Sequence, residues 1–324
     1  MNDYVIGFDL GGTRLKSGAV QRDGTLAAEG IRPSGYTMVP ELLVQVYVDE
    51  VNRISEEVGA SPKAVGLAFS GGVHPRKGVV FLPGKMKGLE GYPIVTEIED
   101  RLGIPVVADN DGRISMYAEA EYGAAKGYGW AVTLTIGTGV GSGVMLDGRI
   151  LRDPHLQFGT QMSHIVQQAG GGRLCITRAR GTAEMMCSAT ALTMAVRDGL
   201  QRGIPSLLSD PYFEDPRAVD FKAIVEAVDA GDALCTDELH HWRLNLGWLL
   251  VSTVHVYAPE VIILAGGGMN ASRHFLDFLR DHVNRHIFRY PADEPVPILL
   301  SELGDHSGVL GTAARAWEYV DSLK

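Results

Sequence analysis

Three short blocks set chemically useful residues beside glycine. The first is Asp9-Leu10-Gly11-Gly12-Thr13-Arg14-Leu15-Lys16 and the second is Ile136-Gly137-Thr138-Gly139-Val140-Gly141-Ser142-Gly143. Glycine at a hairpin turn admits positive φ and lets a ligand approach the backbone closely. Both turns offer backbone N–H groups and a threonine hydroxyl, a combination suited to phosphate oxygens. Asp9 leads its turn, where a carboxylate can hold Mg²⁺ through water. Neither turn carries the Gly-Lys-Ser/Thr of a P-loop, and no helix follows the second as a dinucleotide fingerprint requires. Either turn alone reads as an ordinary hairpin. Two of them, each opening one half of the chain, point to phosphate binding.

The third block is Asn110-Asp111, at a strand-to-helix junction in ADNDGRISMYAEAEYG. Capping a helix is among the commonest uses of Asp. The chemical alternative is a general base that takes the proton of an attacking hydroxyl as a P–O bond forms. Asn110 would then hold a neighbouring hydroxyl.

The elements that must position these residues alternate between strand and helix, which indicates α/β layering. Strands are expected over Tyr4–Leu10, Lys16–Gln21, Ala64–Phe69 (ending at Ser70-Gly71-Gly72), Pro105–Ala108, Val261–Ala265 and Pro297–Ser301. Helices are expected over Pro40–Gly59, Ile94–Leu102, Asp111–Tyr122, Ala271–Ile287 and Gly308–Leu323, with 185–200 and 217–258 mostly helical. Trp130–Leu146 repeats the opening pattern of strand, glycine turn and strand. VIGFDLGGTRLKSGAV and VTLTIGTGVGSGVML therefore echo each other, as a duplicated fold would require. Val261–Ala265 runs into a third glycine turn, Gly266-Gly267-Gly268.

The chain has 324 residues and a net charge of −10. That length suits two domains. The negative charge argues against nucleic acid, whose phosphates need a basic surface. Three cysteines, Cys175, Cys187 and Cys235, make no disulfide framework and fit a reducing, cytoplasmic compartment. The start, MNDYVIGFDLGG, lacks the charged and apolar regions of a signal peptide. Leu244–Tyr257 is too short and polar to span a membrane and reads as a buried helix. His155 and the other histidines show no metal-ligand spacing, and Trp242 and Trp248 read as helix packing.

Taken in order, these blocks resemble the ROK family of sugar kinases. The resemblance runs through DLGGTRLK, NDGR, TIGTGVGSGV, the segment around His164, YAPEVIILAGGG and LGDHSGVLGTAA. It implies an actin/hexokinase-like (ribonuclease H-like) duplicated α/β fold with two domains and a cleft between them. The smaller domain would be 1–117 plus 303–324 and the larger 118–302. The resemblance implies ATP and Mg²⁺, a small sugar as acceptor, and a homodimer. Asp111 matches the catalytic base. Asp9, Gly11, Gly12, Thr13, Lys16, Gly137, Thr138, Gly139 and Gly141 match the phosphate side, and Gly266, Gly267 and Gly268 the adenosine side. Gly71, Asn110, Gln161, His164 and Glu184 match the sugar side.

The sequence departs from that family at the acceptor end. Where the family has E-x-G-H, this chain reads Gln161-Met162-Ser163-His164, so an amide replaces a carboxylate. The family's zinc loop reads Cys175-Ile176-Thr177-Arg178-Ala179-Arg180-Gly181-Thr182-Ala183-Glu184, with one cysteine of three. One thiolate and His164 do not make a tetrahedral structural site, so no zinc is expected. Arg113, Lys85, Arg178 and Arg180 add positive charge. They read as solvated surface residues or replacements for zinc-loop contacts, in preference to partners of an acidic sugar. The leading expectation is an ATP-dependent sugar kinase. The rival is a sugar- or nucleotide-sensing protein with little kinase activity, and a plain ATP hydrolase is a third reading.

Overall fold

The computed structural model describes residues 3–12, 14–34, 39–74, 77–81, 87–152, 161–288 and 294–324. In chain order the elements are β1 (Tyr4–Leu10), β2 (Arg14–Gln21), β3 (Leu26–Pro33), α1 (Pro40–Val58), β4 (Val65–Phe69), β5 (Gly72–Val73), β6 (Val80–Phe81), α2 (Ile94–Leu102), β7 (Val106–Asn110) and α3 (Asp111–Tyr122). There follow β8 (Ala131–Ile136), β9 (Val140–Leu146), β10 (Arg149–Ile150), α4 (Ala183–Cys187), α5 (Ala189–Gln201), α6 (Ser209–Glu214), α7 (Phe221–Asp229) and α8 (Ala233–Tyr257). The chain closes with β11 (Val261–Ala265), α9 (Leu276–His286), β12 (Ile298–Leu300) and α10 (Ser307–Ser322).

Two compact units emerge. The first comprises Met1–Gly129, Gly143–Thr160 and Ser301–Lys324, and the second Trp130–Ser142 and Gln161–Leu300. In the first, the sheet order is β3-β2-β1-β4-β7. β1, β2 and β3 form an antiparallel meander, whereas β1, β4 and β7 run parallel. One face carries Phe8, Leu67 and Phe69 into a core with Leu43, Tyr47 and Ile54 of α1 and Ile94 and Ile98 of α2. Val5 and Val107 lie on the other face, against Ala118 of α3 and Val309, Ala313 and Trp317 of α10. Both faces are covered, as the near-continuous apolar runs of β1 and β4 require. Glycines at 7 and 66 let the closing helix lie on the strand backbones. A Cβ there would stand 2.2 Å from the Val309 carbonyl oxygen and 2.1 Å from that of Thr312.

The second sheet has the order β10-β9-β8-β11-β12, with β8, β11 and β12 parallel. Both sheets thus follow the spatial order 3-2-1-4-5, and the echo between the two hairpins is the sequence trace of that repeat. α8 carries Leu246, Leu249 and Leu250 into the core of the second unit. Trp242 of α8 is buried between Phe221 and Phe275 and donates its indole N–H to the Ser188 carbonyl. Trp248 is 43% exposed and packs edge-on against His282 and His286 of α9. No described helix is long and apolar enough to cross a membrane.

Three elements differ from the sequence expectation. β7 runs two residues further, through Asn110, because Ala68 and Phe69 of β4 continue its ladder to Asp109 and Asn110. The helix expected over Ala271–Ile287 is a 3₁₀ segment, Gly267–His274, followed by α9. β3 was not foreseen. It is the outer strand of the meander and is largely exposed, so it carries little apolar pattern.

Candidate active site

In the first unit the parallel register sets Asp9, Ala68 and Asp109 side by side at the carboxyl ends of β1, β4 and β7. Ligands of open α/β sheets bind outside those ends. Gly11 and Gly12 follow Asp9 in an exposed turn, closed by the Gly11 N–H donating to the Arg14 carbonyl at 2.9 Å. Among the described residues nothing stands within 4 Å of where a Gly12 Cβ would be, which leaves room for a ligand to approach the backbone there. Lys16 is Asp9's cross-strand partner. Its Nζ donates to the Asp305 carbonyl oxygen at 3.0 Å and lies 3.3 Å from the Asp305 carboxylate. Burial pushes the Asp9 carboxyl above its ordinary range, Lys16 draws it part of the way back, and Asp305 pushes it up again. Asp305 lies in the closing block LGDHSGVLGTAA, and only the fold brings it to Lys16.

Asn110, not Asp111, caps α3. Its Oδ1 accepts the Gly112 N–H at 3.0 Å, which corrects the reading of Asp111 as cap. The Asn110 Nδ2 donates to the Gly71 carbonyl at 2.8 Å, so the turn after β4 and the start of α3 are tied together. Asn110 is buried, and Asp111 is exposed as the first residue of the helix. A carboxylate at that position sits in the favourable field of the helix N-terminus. Asp111 Oδ1 also accepts the Gly112 N–H, at 2.8 Å.

Behind this junction Arg113 is fully buried, which overturns its assignment to the surface. Its Nε donates to Asp109 Oδ1 at 2.6 Å, and Arg152 Nε stands 3.3 Å from Asp109 Oδ2. Asp109 is therefore held between two guanidinium groups. Residue type alone gives no sign of this role, although Asp109 begins the Asp-Asn-Asp run. Its partner lies four residues on, which in a strand-to-helix junction is no helical spacing.

In the second unit the β8–β9 turn and the Gly266–Gly268 turn leave neighbouring strands side by side. Ala265 pairs with Thr135, one residue before Ile136. Gly266 has φ +91°, and a Cβ there would meet the Ile136 carbonyl oxygen at 2.6 Å. Only glycine fits that approach. At Gly137 and Gly267 a Cβ would meet nothing within 4 Å. Thr138 is exposed, and Gly141 lies in β9. The Ala189 N–H, at the start of α5, donates to the Gly137 carbonyl at 2.9 Å. Glu184 is half-buried beside Gly139, whose added Cβ would come within 2.4 Å of its Oε2. A residue expected on the sugar side thus lies against the β8–β9 turn, expected on the phosphate side.

Gln161 precedes a 3₁₀ turn, Met162–His164, anchored by the Met162 N–H to Ser142 Oγ at 3.1 Å. His164 Nδ1 lies 3.4 Å from Cys175 Sγ. The Ala183 N–H donates to the Ile165 carbonyl at 2.8 Å, which brings Glu184 towards the His164 segment. The loop that resembles a zinc loop is closed by its own backbone. Cys175 N–H donates to Ala179 at 2.8 Å, Arg178 N–H to Cys175 at 2.9 Å and Gly181 N–H to Arg173 at 3.3 Å. Arg178 and Arg180 are exposed. Cys175 and Cys187 are buried, and burial pushes the Cys187 thiol far above its usual value. Among the described residues no three of His, Cys, Asp or Glu gather as a metal would need. Thr13, Lys85 with the 82–86 stretch, and His155 lie outside the described residues.

The chain is 27% identical to a glucokinase of Thermotoga maritima over 312 residues, covering 96% of each. Its fold superposes on a ROK hexokinase from Thermus thermophilus with a TM-score of 0.82, at 26% identity over 98% of this chain and 99% of that one. A ROK family transcriptional regulator, homologue of the E. coli MLC protein, shares the fold at a TM-score of 0.84 and 20% identity, with 100% of this chain and 80% of the regulator covered. The ROK family itself matches residues 5–318, and this chain belongs to it.

Proposed function

We propose that the protein is an ATP-dependent sugar kinase in which Asp111 is the general base. The observation that carries this reading is the β7–α3 junction. Asn110 caps the helix, and Asp111 is exposed at its first residue, two positions beyond Asp109, which stands in register with Asp9 through Ala68. A carboxylate there can accept the proton of a sugar hydroxyl as it attacks phosphorus. The curated kinase relatives support the same class of reaction.

The residues present fit a nucleotide and a divalent ion. Gly12, Gly137 and Gly267 leave open space where side chains would stand, which favours phosphate approach to backbone N–H groups. Asp9 would hold Mg²⁺ through water, and Lys16, its cross-strand partner, would supply a cation beside it. Bound Mg²⁺ would neutralise charge on the transferring phosphoryl group. Gly266 to Gly268 would lie beside adenosine. On the acceptor side, Gly71, Asn110, Gln161, His164 and Glu184 would bind the sugar. Asn110 retains one amide hydrogen for it after serving as cap and tether. Gln161 both donates and accepts, which changes the hydroxyl pattern it can satisfy. Backbone hydrogen bonds close the loop at 173–181, which supports the expectation that it needs no zinc. The family resemblance extends the reading to a cytoplasmic homodimer, which sedimentation of the purified chain tests.

The test is ADP release from Mg·ATP across a sugar panel, with and without each sugar. Sugar-dependent release is expected. Sugar binding without release would replace the kinase with the sensor that Gln161 favours. Release indifferent to sugar would make the protein an ATP hydrolase.

A further inference from the structure

Away from the glycine turns, the first unit has a cavity of about 270 Å³ between β7, α2 and α10. Four basic residues line it: His74, Lys77, Arg152 and Arg315. Glu99 is the acidic residue in its wall, and its Oε2 accepts the Val106 N–H at 2.9 Å. Glu318, nearby on α10, is engaged by Arg315 Nη1 and the Tyr117 hydroxyl, each at 2.9 Å. Asp109 lies behind Arg152 and is already held by Arg113. In a chain of net charge −10, Lys77, Arg152 and Arg315 together make a local positive field.

Two of those guanidiniums are only partly satisfied. The Arg315 side chain is 12% exposed, and its buried Nε has no hydrogen-bond partner among the described residues. Among the described residues the buried Arg152 Nε also lacks one, since its 3.3 Å approach to Asp109 is an ion pair without hydrogen-bond geometry. Buried donors are nearly always paired, so two such donors on one cavity wall call for an acceptor. β7 adds a third donor. It is the outer strand of its sheet, and the Val106 N–H points outward to Glu99. The two-residue period turns the Ala108 N–H to the same side, and Ala108 also lines the cavity.

We propose that this cavity is a second anion site, for a compact dianion of the phosphate class. Inorganic phosphate or a small phosphate ester fits its volume and donor set. Arginine, lysine and an edge N–H around one oxygen-rich anion form charge-assisted bonds of the strong kind. The site abuts the strand that ends in Asp109-Asn110-Asp111 and shares Arg152 with Asp109, so an occupant there competes for that guanidinium.

Calorimetric titration of the full chain with inorganic phosphate, and separately with glycerol 3-phosphate, tests the site at constant ionic strength set by chloride. Saturable binding is expected from at least one of them, and the tighter of the two identifies the source. Lys77→Glu and Arg315→Met should each weaken it by about tenfold or more. Lys77 is exposed, so its variant keeps the test alive if Arg315→Met does not fold. Binding of unchanged affinity in Lys77→Glu would place the anion at the glycine turns instead and overturn the proposal. The absence of any saturable binding would overturn it too. Neither outcome bears on sugar-dependent ADP release, which reads the kinase site alone.

Discussion

Arg113 Nε donates to Asp109 Oδ1 at 2.6 Å, with both side chains 1% exposed. The pair spans the end of β7 and the first turn of α3, and so clamps the residues on either side of Asn110 and Asp111. A buried ion pair contributes less by its own strength than by what its loss leaves behind. Arg113→Met should therefore destabilise the fold by about 3–5 kcal/mol, because buried Asp109 then keeps the Asn110 N–H at 2.7 Å but, as a charged partner, the looser contact with Arg152. Pairing it with Asp109→Leu should recover much of that loss. Urea denaturation of the two variants measures both effects. A single variant within about 1 kcal/mol of the parent would show that the pair clamps nothing.

Asp111→Asn should lower kcat by at least about 100-fold, the lower end of what a positioned general base supplies. Asn cannot accept the hydroxyl proton. Asn110 keeps the cap, so the melting temperature should hardly move, and the affinity for Mg·ATP should stay within about twofold. Turnover close to the parent would assign the proton to another group.

The hairpins and the strand-to-helix junction were legible because glycine, capping residues and alternating elements write local geometry directly into sequence. Tyr4–Leu10, Ile94–Leu102 and Asp111–Tyr122 begin and end where those signals put them. Other features depended on distant partners. Arg113 reads as a surface cation until Asp109 is found beneath it, and Asp305 acquires a role only when the closing segment returns to Lys16. Which of two adjacent residues caps a helix is also invisible to residue type alone. Asn110 and Asp111 are both good caps, and the ladder between β4 and β7 decides for Asn110.

The loop at 173–181 should hold its shape without metal. Backbone bonds from Cys175, Arg178 and Gly181 close it, and Arg173 is anchored on Asp198 of α5. One thiolate and one imidazole leave a zinc ion two ligands short. Metal analysis of the purified chain should find zinc well below one per chain. Treatment with a strong chelator, removed before Mg·ATP is supplied, should leave both melting temperature and turnover unchanged. Stoichiometric zinc, or a melting point lowered by chelation, would require ligands outside this loop.

Acid should weaken the first unit through Glu50. Its side chain on α1 is 1% exposed and binds Ser17 Oγ at 2.8 Å, Arg32 Nε at 2.5 Å and Arg53 Nη2 at 2.7 Å. Burial alone would raise this carboxyl, but the bonds from Arg53, Ser17 and Arg32 outweigh it and draw it from 4.5 down to about 2. The native state therefore holds fewer protons than the unfolded chain between those values. The stabilisation is complete above pH 4.5 and disappears as pH falls towards 2. Its full size is about 3 kcal/mol, since each pH unit between the two values contributes about 1.4 kcal/mol, less the screening around the two half-exposed arginines. Glu50→Gln should lower stability at neutral pH and flatten the acid limb of the stability profile across that window. Parallel acid limbs for parent and variant would show that Glu50 does not govern it.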